Sequence, residues 1–205
     1  MIRILLIRHG ETVLLGRTLY GRMPGVVLSA QGYKQAECLA EVLKMRYQIT
    51  ELVSSPMERT QETARFISRT FSLPLTIDDH FNEIHFGAWM GREFSELREM
   101  EEWQEYNRHR SLSAAPGGES MLQVQTRAWL GIQAIAERHA GDSEATVAIV
   151  THGDVVRFLL MLILGMPGDH IGRIEIAPGS VSEVIFHGLH PRLICMNQTL
   201  SPIVT

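Results

Sequence analysis

Two histidines of this chain stand in the same local setting. Ile4-Leu5-Leu6-Ile7 runs into Arg8-His9-Gly10, and Thr146-Val147-Ala148-Ile149-Val150-Thr151 runs into His152-Gly153-Asp154. Each apolar run reads as a strand buried on both faces of a parallel sheet. In open α/β sheets, ligands gather beyond the carboxyl ends of the strands, which puts both imidazoles along one sheet edge. An imidazole there can serve as nucleophile, base or ligand, and Arg8 beside His9 favours a bound anion. One such ending fits a histidine satisfied at the rim of a core. Two of them are hard to ascribe to packing.

Other residues belong to the same edge. Glu51-Leu52-Val53-Ser54-Ser55 reads as a short strand. Ser55 and Glu58 form a predicted capping box around Pro56, which places Arg59 in the first, electropositive turn of the next helix. Phe81-Asn82-Glu83-Ile84-His85-Phe86-Gly87 reads as short and extended, with Glu83 available to the edge. A guanidinium presents five N–H donors in a planar fork, so Arg8 and Arg59 together suit the oxygens of a phosphate. A neutral imidazole can attack phosphorus, while Arg8, Arg59 and His152 stabilise the charge on the equatorial oxygens without a metal. The leaving alkoxide needs a proton, which a carboxylic acid such as Glu83 supplies if its pKa is raised. Metal chemistry fits poorly: His80 with His85, and His187 with His190, lack carboxylates or thiolates at ligand spacing. No cofactor is expected.

The elements that must position these groups follow from periodicity and punctuation. Residues 13–27 carry Gly16, Gly21, Pro24 and Gly25 and read as a long loop, which also holds Arg17 and Arg22. Ser29 is a predicted N-cap for a helix running to about Arg46, with Ala36, Leu39, Ala40 and Leu43 inward. The Arg59 helix runs to about Phe71, and Leu75-Thr76-Ile77 reads as an edge strand. The highly charged stretch from Glu93 to Arg110 carries Phe94, Leu97, Met100 and Trp103 near helical spacing. It is predicted to be a solvated amphipathic helix covering part of the site. Met121 to His139 is a second amphipathic helix, and another runs from about Asp154 to Leu164. Ile174-Glu175-Ile176, Val181 to Phe186 and Leu193 to Met196 read as closing strands. Strand–helix alternation without repeats or linkers predicts one α/β domain with an insertion at roughly 84–118.

Composition narrows the class further. With 205 residues, 45% of them hydrophobic, the chain can build one sizeable core. A net charge of −4 and the lack of a Lys/Arg block argue against nucleic-acid or anionic-membrane partners. No apolar run approaches membrane-spanning length, and the N-terminal run broken by Arg8 is too short for a signal peptide. Cys38 and Cys195 stand apart and read as small core residues in a reducing compartment. A cytoplasmic protein is expected.

In its motifs the chain resembles the histidine phosphatase superfamily, in the phosphoglycerate mutase-like branch. The resemblance rests on Leu5-Leu6-Ile7-Arg8-His9-Gly10-Glu11-Thr12, Gly21 to Pro24, Leu28-Ser29-Ala30-Gln31-Gly32 with Gln35-Ala36, and Ser54-Ser55-Pro56 with Arg59 and Thr63-Ala64. It continues through Asn82-Glu83-Ile84 with Phe86-Gly87, Pro116-Gly117-Gly118-Glu119-Ser120 and Thr151-His152-Gly153. These blocks span nearly the whole chain in order. The resemblance implies a three-layer α/β/α sandwich on a mostly parallel sheet, with a small helical insertion over the site. It implies that His9 is the phosphorylated nucleophile and Glu83 the general acid and then base. His152 belongs to the same catalytic set and, with Arg8 and Arg59, makes the phosphate pocket. Thr12, Arg17, Gly21 and Arg22 are candidates for substrate binding, while Glu11, Glu119 and Asp154 are read as structural contacts.

Two positions depart from the pattern. Leu15 stands where many members carry an Asn that touches the phosphate pocket, and Met90 where Glu is usual. Arg17 or Arg22 is expected to compensate for Leu15. The short span between Glu83 and His152 favours a phosphatase over a mutase, acting on a small phosphorylated metabolite. A mutase-type phosphotransferase is the alternative, and a non-catalytic phosphate-ligand or protein-binding module the less favoured one. A homodimer is compatible with this reading.

Overall fold

The computed structural model describes residues 1–142 and 144–199. The expected domain, 1–205, therefore includes residues 143 and 200–205, which lie outside the described residues.

The chain opens with β1 (Ile2–Arg8), α1 (Ala30–Arg46), β2 (Glu51–Ser54), α2 (Glu58–Phe71) and β3 (Leu75–Ile77). It continues through α3 (Phe94–Arg98), α4 (Glu101–Arg108) and α5 (Met121–Arg138), then β4 (Thr146–Thr151), α6 (Gly153–Leu164), β5 (Ser180–His187) and β6 (His190–Thr199). The strands form one sheet in the order β3-β2-β4-β1-β5-β6. β3, β2, β4 and β1 run parallel, and β5 and β6 are added antiparallel. Among the described residues no helix is long and apolar enough to cross a membrane.

Period-two alternation explains why β1 and β4 are apolar throughout. Leu5, Ile7, Ala148 and Val150 pack under Leu39 and Leu43 of α1 and Ala64 and Ile67 of α2. Ile4, Leu6, Val147 and Ile149 pack on the other face with Val124, Ile132 and Ile135 of α5 and Val155, Val156 and Leu159 of α6. Every inward side chain of these central strands is buried, so each Leu, Ile and Val among them contributes a transfer free energy of roughly 1.5–3 kcal/mol. The layers are thus helices, sheet and helices. β1 and β4 lie side by side, with Arg8 opposite Thr151, and this register delivers His9 and His152 to the same edge.

Four expectations are corrected. The Ser55–Glu58 capping box does not form: α2 has Met57 at its N-cap with no side-chain cap. The Glu58 carboxylate accepts from Gly25 N–H at 3.0 Å, and Ser55 Oγ meets His152 Nε2 at 2.7 Å. The stretch from Glu93 to Arg110 is not one solvated helix. It breaks at Met100, whose ψ of 125° is extended, and the bend stacks Trp103 and Tyr106 on Trp89 at centroid distances of 5.3 and 5.1 Å. Burying Leu97, Tyr106 and Trp89 outweighs the hydrogen bonds a continuous helix would gain. Ile174-Glu175-Ile176 is buried at both isoleucines but joins no strand pair. Instead, the carbonyls of Ile174 and Ile176 face arginines, as described below. Cys38 and Cys195 are half-buried rather than core residues.

Candidate active site

The end of β1 is held by close backbone packing. A Cβ on Gly10 would lie 2.6 Å from Gly32 O, and one on Gly32 would lie 2.0 Å from Glu11 O, so both positions require glycine. Gly10 N–H donates to Thr63 Oγ1 at 3.1 Å, tying the β1 end to α2. His9 is 1% exposed, and its Nδ1 lies 2.7 Å from Gly10 O. A carbonyl oxygen only accepts, so Nδ1 carries the proton and Nε2 presents its lone pair. Burial first, then the charges of Arg59 and Arg8, hold the His9 pKa well below the usual imidazole range. The ring is neutral at physiological pH.

Arg59, in the first turn of α2, reaches under both imidazoles. Its Nε donates to His9 Nε2 at 3.3 Å, and its Nη2 approaches His152 Nδ1 at 3.1 Å and Gly21 O at 2.7 Å. The guanidinium is fully buried and lies 4.8 Å from the centroid of Tyr20, over the ring face. Since an arginine only donates, His152 Nδ1 is the acceptor. Its Nε2–H then donates to Ser55 Oγ. Burial and the facing cations, Arg59 foremost, keep His152 neutral too. The two rings sit edge to face with centroids 5.3 Å apart.

At this site two buried donors have no partner among the described residues, Arg8 Nε and Arg59 Nη1. Such groups are costly unless a ligand or water completes them. Arg8 is fixed from behind by its Nη1 bond to Ile176 O, and Gly153 leaves room for it, since a Cβ there would approach Arg8 Nε to 3.2 Å. The unmet donors and the His9 lone pair thus form a small, preset cradle for an anion. Arg8, His9, Gly21 and Glu83 line one open cavity of about 130 Å³ with Leu15, Thr18, Leu19, Tyr20, Phe86, Phe94, Asp154 and Arg157.

Glu83 enters from the other side. Thr151 Oγ1 donates to Phe81 O at 2.7 Å, hanging this segment on β4. Arg22 Nε and Arg127 Nη2 donate to the Glu83 carbonyl at 2.7 and 3.1 Å, and the Ile84 N–H donates to its Oε1 at 2.9 Å. Oε2 stands 3.5 Å from His152 Nδ1 and 3.9 Å from Arg59 Nη2. Burial, reinforced by the Asp154 charge, outweighs the pull of Arg59 and raises the Glu83 pKa to about 7. A carboxyl poised there can give and take a proton near neutrality.

The structure therefore brings together Arg8, His9, Arg59, Glu83 and His152. Gly21 joins them through its carbonyl on Arg59. Arg22 is spent on the Glu83 carbonyl and on Glu119 at 2.7 Å. Arg17 is exposed and lies outside the cavity lining, and Thr12 is buried against Leu28 away from it. Neither arginine lies in the cavity lining beside Leu15. Residues that sequence reasoning did not assign to the site are Ser55, Tyr20, Phe94, Arg127 and the pair Asp154–Arg157. Ser55 reads in the sequence as a cap within the Ser54-Ser55-Pro56 block and Asp154 as a structural contact, and the others carry no local signal. Glu11 and Glu119 are structural: Glu11 accepts from Ser29 Oγ at 2.7 Å, and Glu119 is held by Arg22 and Arg127.

An α/β/α sandwich that gathers two neutral imidazoles and two arginines with unmet donors has the chemistry to hold a phosphoryl-type anion. The sequence profile of the histidine phosphatase superfamily (branch 1) matches residues 4–199, and the chain belongs to that superfamily. The bifunctional protein Rv2228c of Mycobacterium tuberculosis is 33% identical over 187 residues, which are 90% of this chain and 50% of that protein. The chain thus spans about half the length of that relative. A protein named probable phosphoglycerate mutase GpmB, from Yersinia pestis, is 30% identical over 90% of this chain and 85% of its own. Among solved structures, Bacillus stearothermophilus YhfR superposes with a TM-score of 0.88 at 28% identity, covering 96% of this chain and 97% of that one. The alpha-ribazole phosphatase from Shigella flexneri gives 0.83 at 26% identity, covering 96% of each chain.

Proposed function

We propose that this chain hydrolyses a phosphate monoester of a small metabolite through a phosphohistidine on His9, with Glu83 as general acid and then general base. The observation that carries this reading is the lone pair of His9 Nε2, met only by a long 3.3 Å bond from Arg59 Nε, beside the unpartnered Arg8 Nε and Arg59 Nη1. The phosphoryl oxygens complete those donors, and His152 Nδ1 lies on the same cradle.

In the first step Nε2 attacks phosphorus, the P–N bond forms, and the P–O bond to the alcohol breaks. Glu83, half protonated near pH 7, passes its proton to the leaving oxygen. In the second step the Glu83 carboxylate takes a proton from water. The resulting hydroxide oxygen bonds to phosphorus, the P–N bond breaks, and phosphate and neutral His9 are released. Throughout, guanidinium groups fixed at the site carry the positive charge that the transition state requires.

The relative named as a phosphoglycerate mutase supports a second reading, transfer of the phosphoryl group back to an acceptor rather than to water. One experiment separates the two. Phosphate release from p-nitrophenyl phosphate is measured with and without chelator beside an isomerisation assay on 3-phosphoglycerate, using wild type and His9→Ala. Chelator-resistant phosphate release that His9→Ala abolishes is expected. Isomerisation without net release would make the chain a mutase, and binding without turnover would make it a ligand-binding module.

A further inference from the structure

Beyond the phosphate cradle, the cavity changes character. Its walls there are Leu15 and Leu19 from the loop after β1, Phe86 from the Glu83 segment and Phe94 from the start of α3. The loop and the insertion are stitched together by their backbones. Leu19 N–H donates to Arg92 O, Gly91 N–H to Leu19 O, and Phe94 N–H to Arg17 O, each at 2.9 Å. An apolar wall assembled this way exists before any ligand arrives, so its ordering is not charged to binding.

Outside the phosphate cradle, Arg157 and Arg22 are held by carboxylates. Arg157 lines the cavity, but its Nη1 pairs with Asp154 at 2.9 Å and its Nε donates to Ile174 O at 3.0 Å. Arg22 is committed to Glu83 and Glu119. Arg110 lies outside the lining, its guanidinium 4.1 Å from the Tyr106 ring centroid, its two Nη atoms bonded to Tyr106 and Asn107 and its Nε without a partner among the described residues. A second phosphate or a carboxylate seated on this wall would lose its water and face Asp154, with Arg157 already paired to that carboxylate. An apolar alcohol would lose nothing polar and would bury its surface against leucine and phenylalanine.

We infer that the substrate is a monoanchored ester: a single phosphate on an uncharged, apolar alcohol held by Leu15, Leu19, Phe86 and Phe94, with the Asp154–Arg157 pair excluding a second anion. The inference rests on the phosphatase reading above and specifies its substrate class. It sets this chain apart from any enzyme that must grip a substrate at both phosphate and carboxylate.

The test compares kcat/KM for n-butyl phosphate, glycerol 3-phosphate and 3-phosphoglycerate, all of which leave as alkoxides, with p-nitrophenyl phosphate as the control for turnover itself. Butyl phosphate is expected to exceed 3-phosphoglycerate by at least about tenfold. Phe94→Ala and Leu15→Ala are each expected to lower the butyl-to-glycerol ratio by about tenfold, a change of ratio that mere loosening of the fold would not produce. Asp154→Asn, which leaves the Arg157 charge uncancelled, should raise 3-phosphoglycerate relative to butyl phosphate. Preference for 3-phosphoglycerate in the wild type overturns the inference while leaving the phosphatase reading intact. If Arg110→Met then removed that preference, Arg110 would be the second anion site. Failure on every ester, p-nitrophenyl phosphate included, would overturn the phosphatase reading and this inference with it.

Discussion

Glu83 and Glu119 lie on two sides of one pair of arginines, and their carboxyl groups are set in opposite directions. Arg22 and Arg127 each donate to the carboxylate of Glu119 and also to the backbone carbonyl of Glu83. Burial pushes the Glu119 carboxyl up, but Arg127, the His85 N–H and Arg22 outweigh it, and its pKa falls below the usual carboxylate value. For Glu83 the same arginines take only the main chain. Its carboxyl is left to burial and to Asp154 and rises to about 7. One acid is a structural clamp and the other is proton-active. What separates them is which oxygen the cations reach, not how many cations are near.

The comparison can be broken or sharpened in order of expected effect. Largest is His9→Ala, which should lower phosphate release by about 10⁴-fold or more and abolish any acid-labile phosphoenzyme in a quench experiment. Next is Glu83→Gln, expected to cost about 10²–10⁴-fold in kcat for esters with poor leaving groups and much less for p-nitrophenyl phosphate. In the wild type, kcat for a poor leaving group should fall as pH rises through about 7. A loss that ignored the leaving group would refute the acid role.

Glu119→Gln should leave the pH profile of turnover in place but destabilise the fold by about 1–3 kcal/mol, read as a lower urea midpoint. The signs of pH-dependent stability also differ. The Glu119 contribution is present above the ordinary carboxylate range and lost as pH falls through its lowered pKa. Glu83, with its raised pKa, favours the folded state below about pH 4.5, and that advantage is lost as pH rises towards 7. Last is the gain in stability of Glu83→Gln at pH 8, of order 1–3 kcal/mol and shrinking as pH falls from about 7 towards 4.5. A constant difference across pH would show that Glu83 titrates normally.

Much of the site was legible because strand register is local. Arg8-His9 and His152 follow apolar runs whose alternation leaves no choice of face, so the imidazoles had to meet at one edge. Where the reading failed, a distant partner outbid a local rule. Ser55 has the makings of a cap, yet its hydroxyl serves His152, and Glu58 serves Gly25. The insertion carries helical spacing, yet it bends to stack Trp103 and Tyr106 on Trp89. Arg17 and Arg22 have the right chemistry for a phosphate and the wrong surroundings: one faces solvent, and the other is held by Glu83 and Glu119.

By itself, the sequence determined the sheet-centred α/β fold, the shared edge and the set His9, His152, Arg8, Arg59 and Glu83, because periodicity and residue chemistry act over a few neighbours. Tertiary structure alone decided the state of that set. It left Arg8 Nε and Arg59 Nη1 unmet, raised Glu83 while lowering Glu119, and lined the far wall with Leu15, Leu19, Phe86 and Phe94. Desolvation and partner geometry set those properties, and both depend on residues that meet only once the chain has folded.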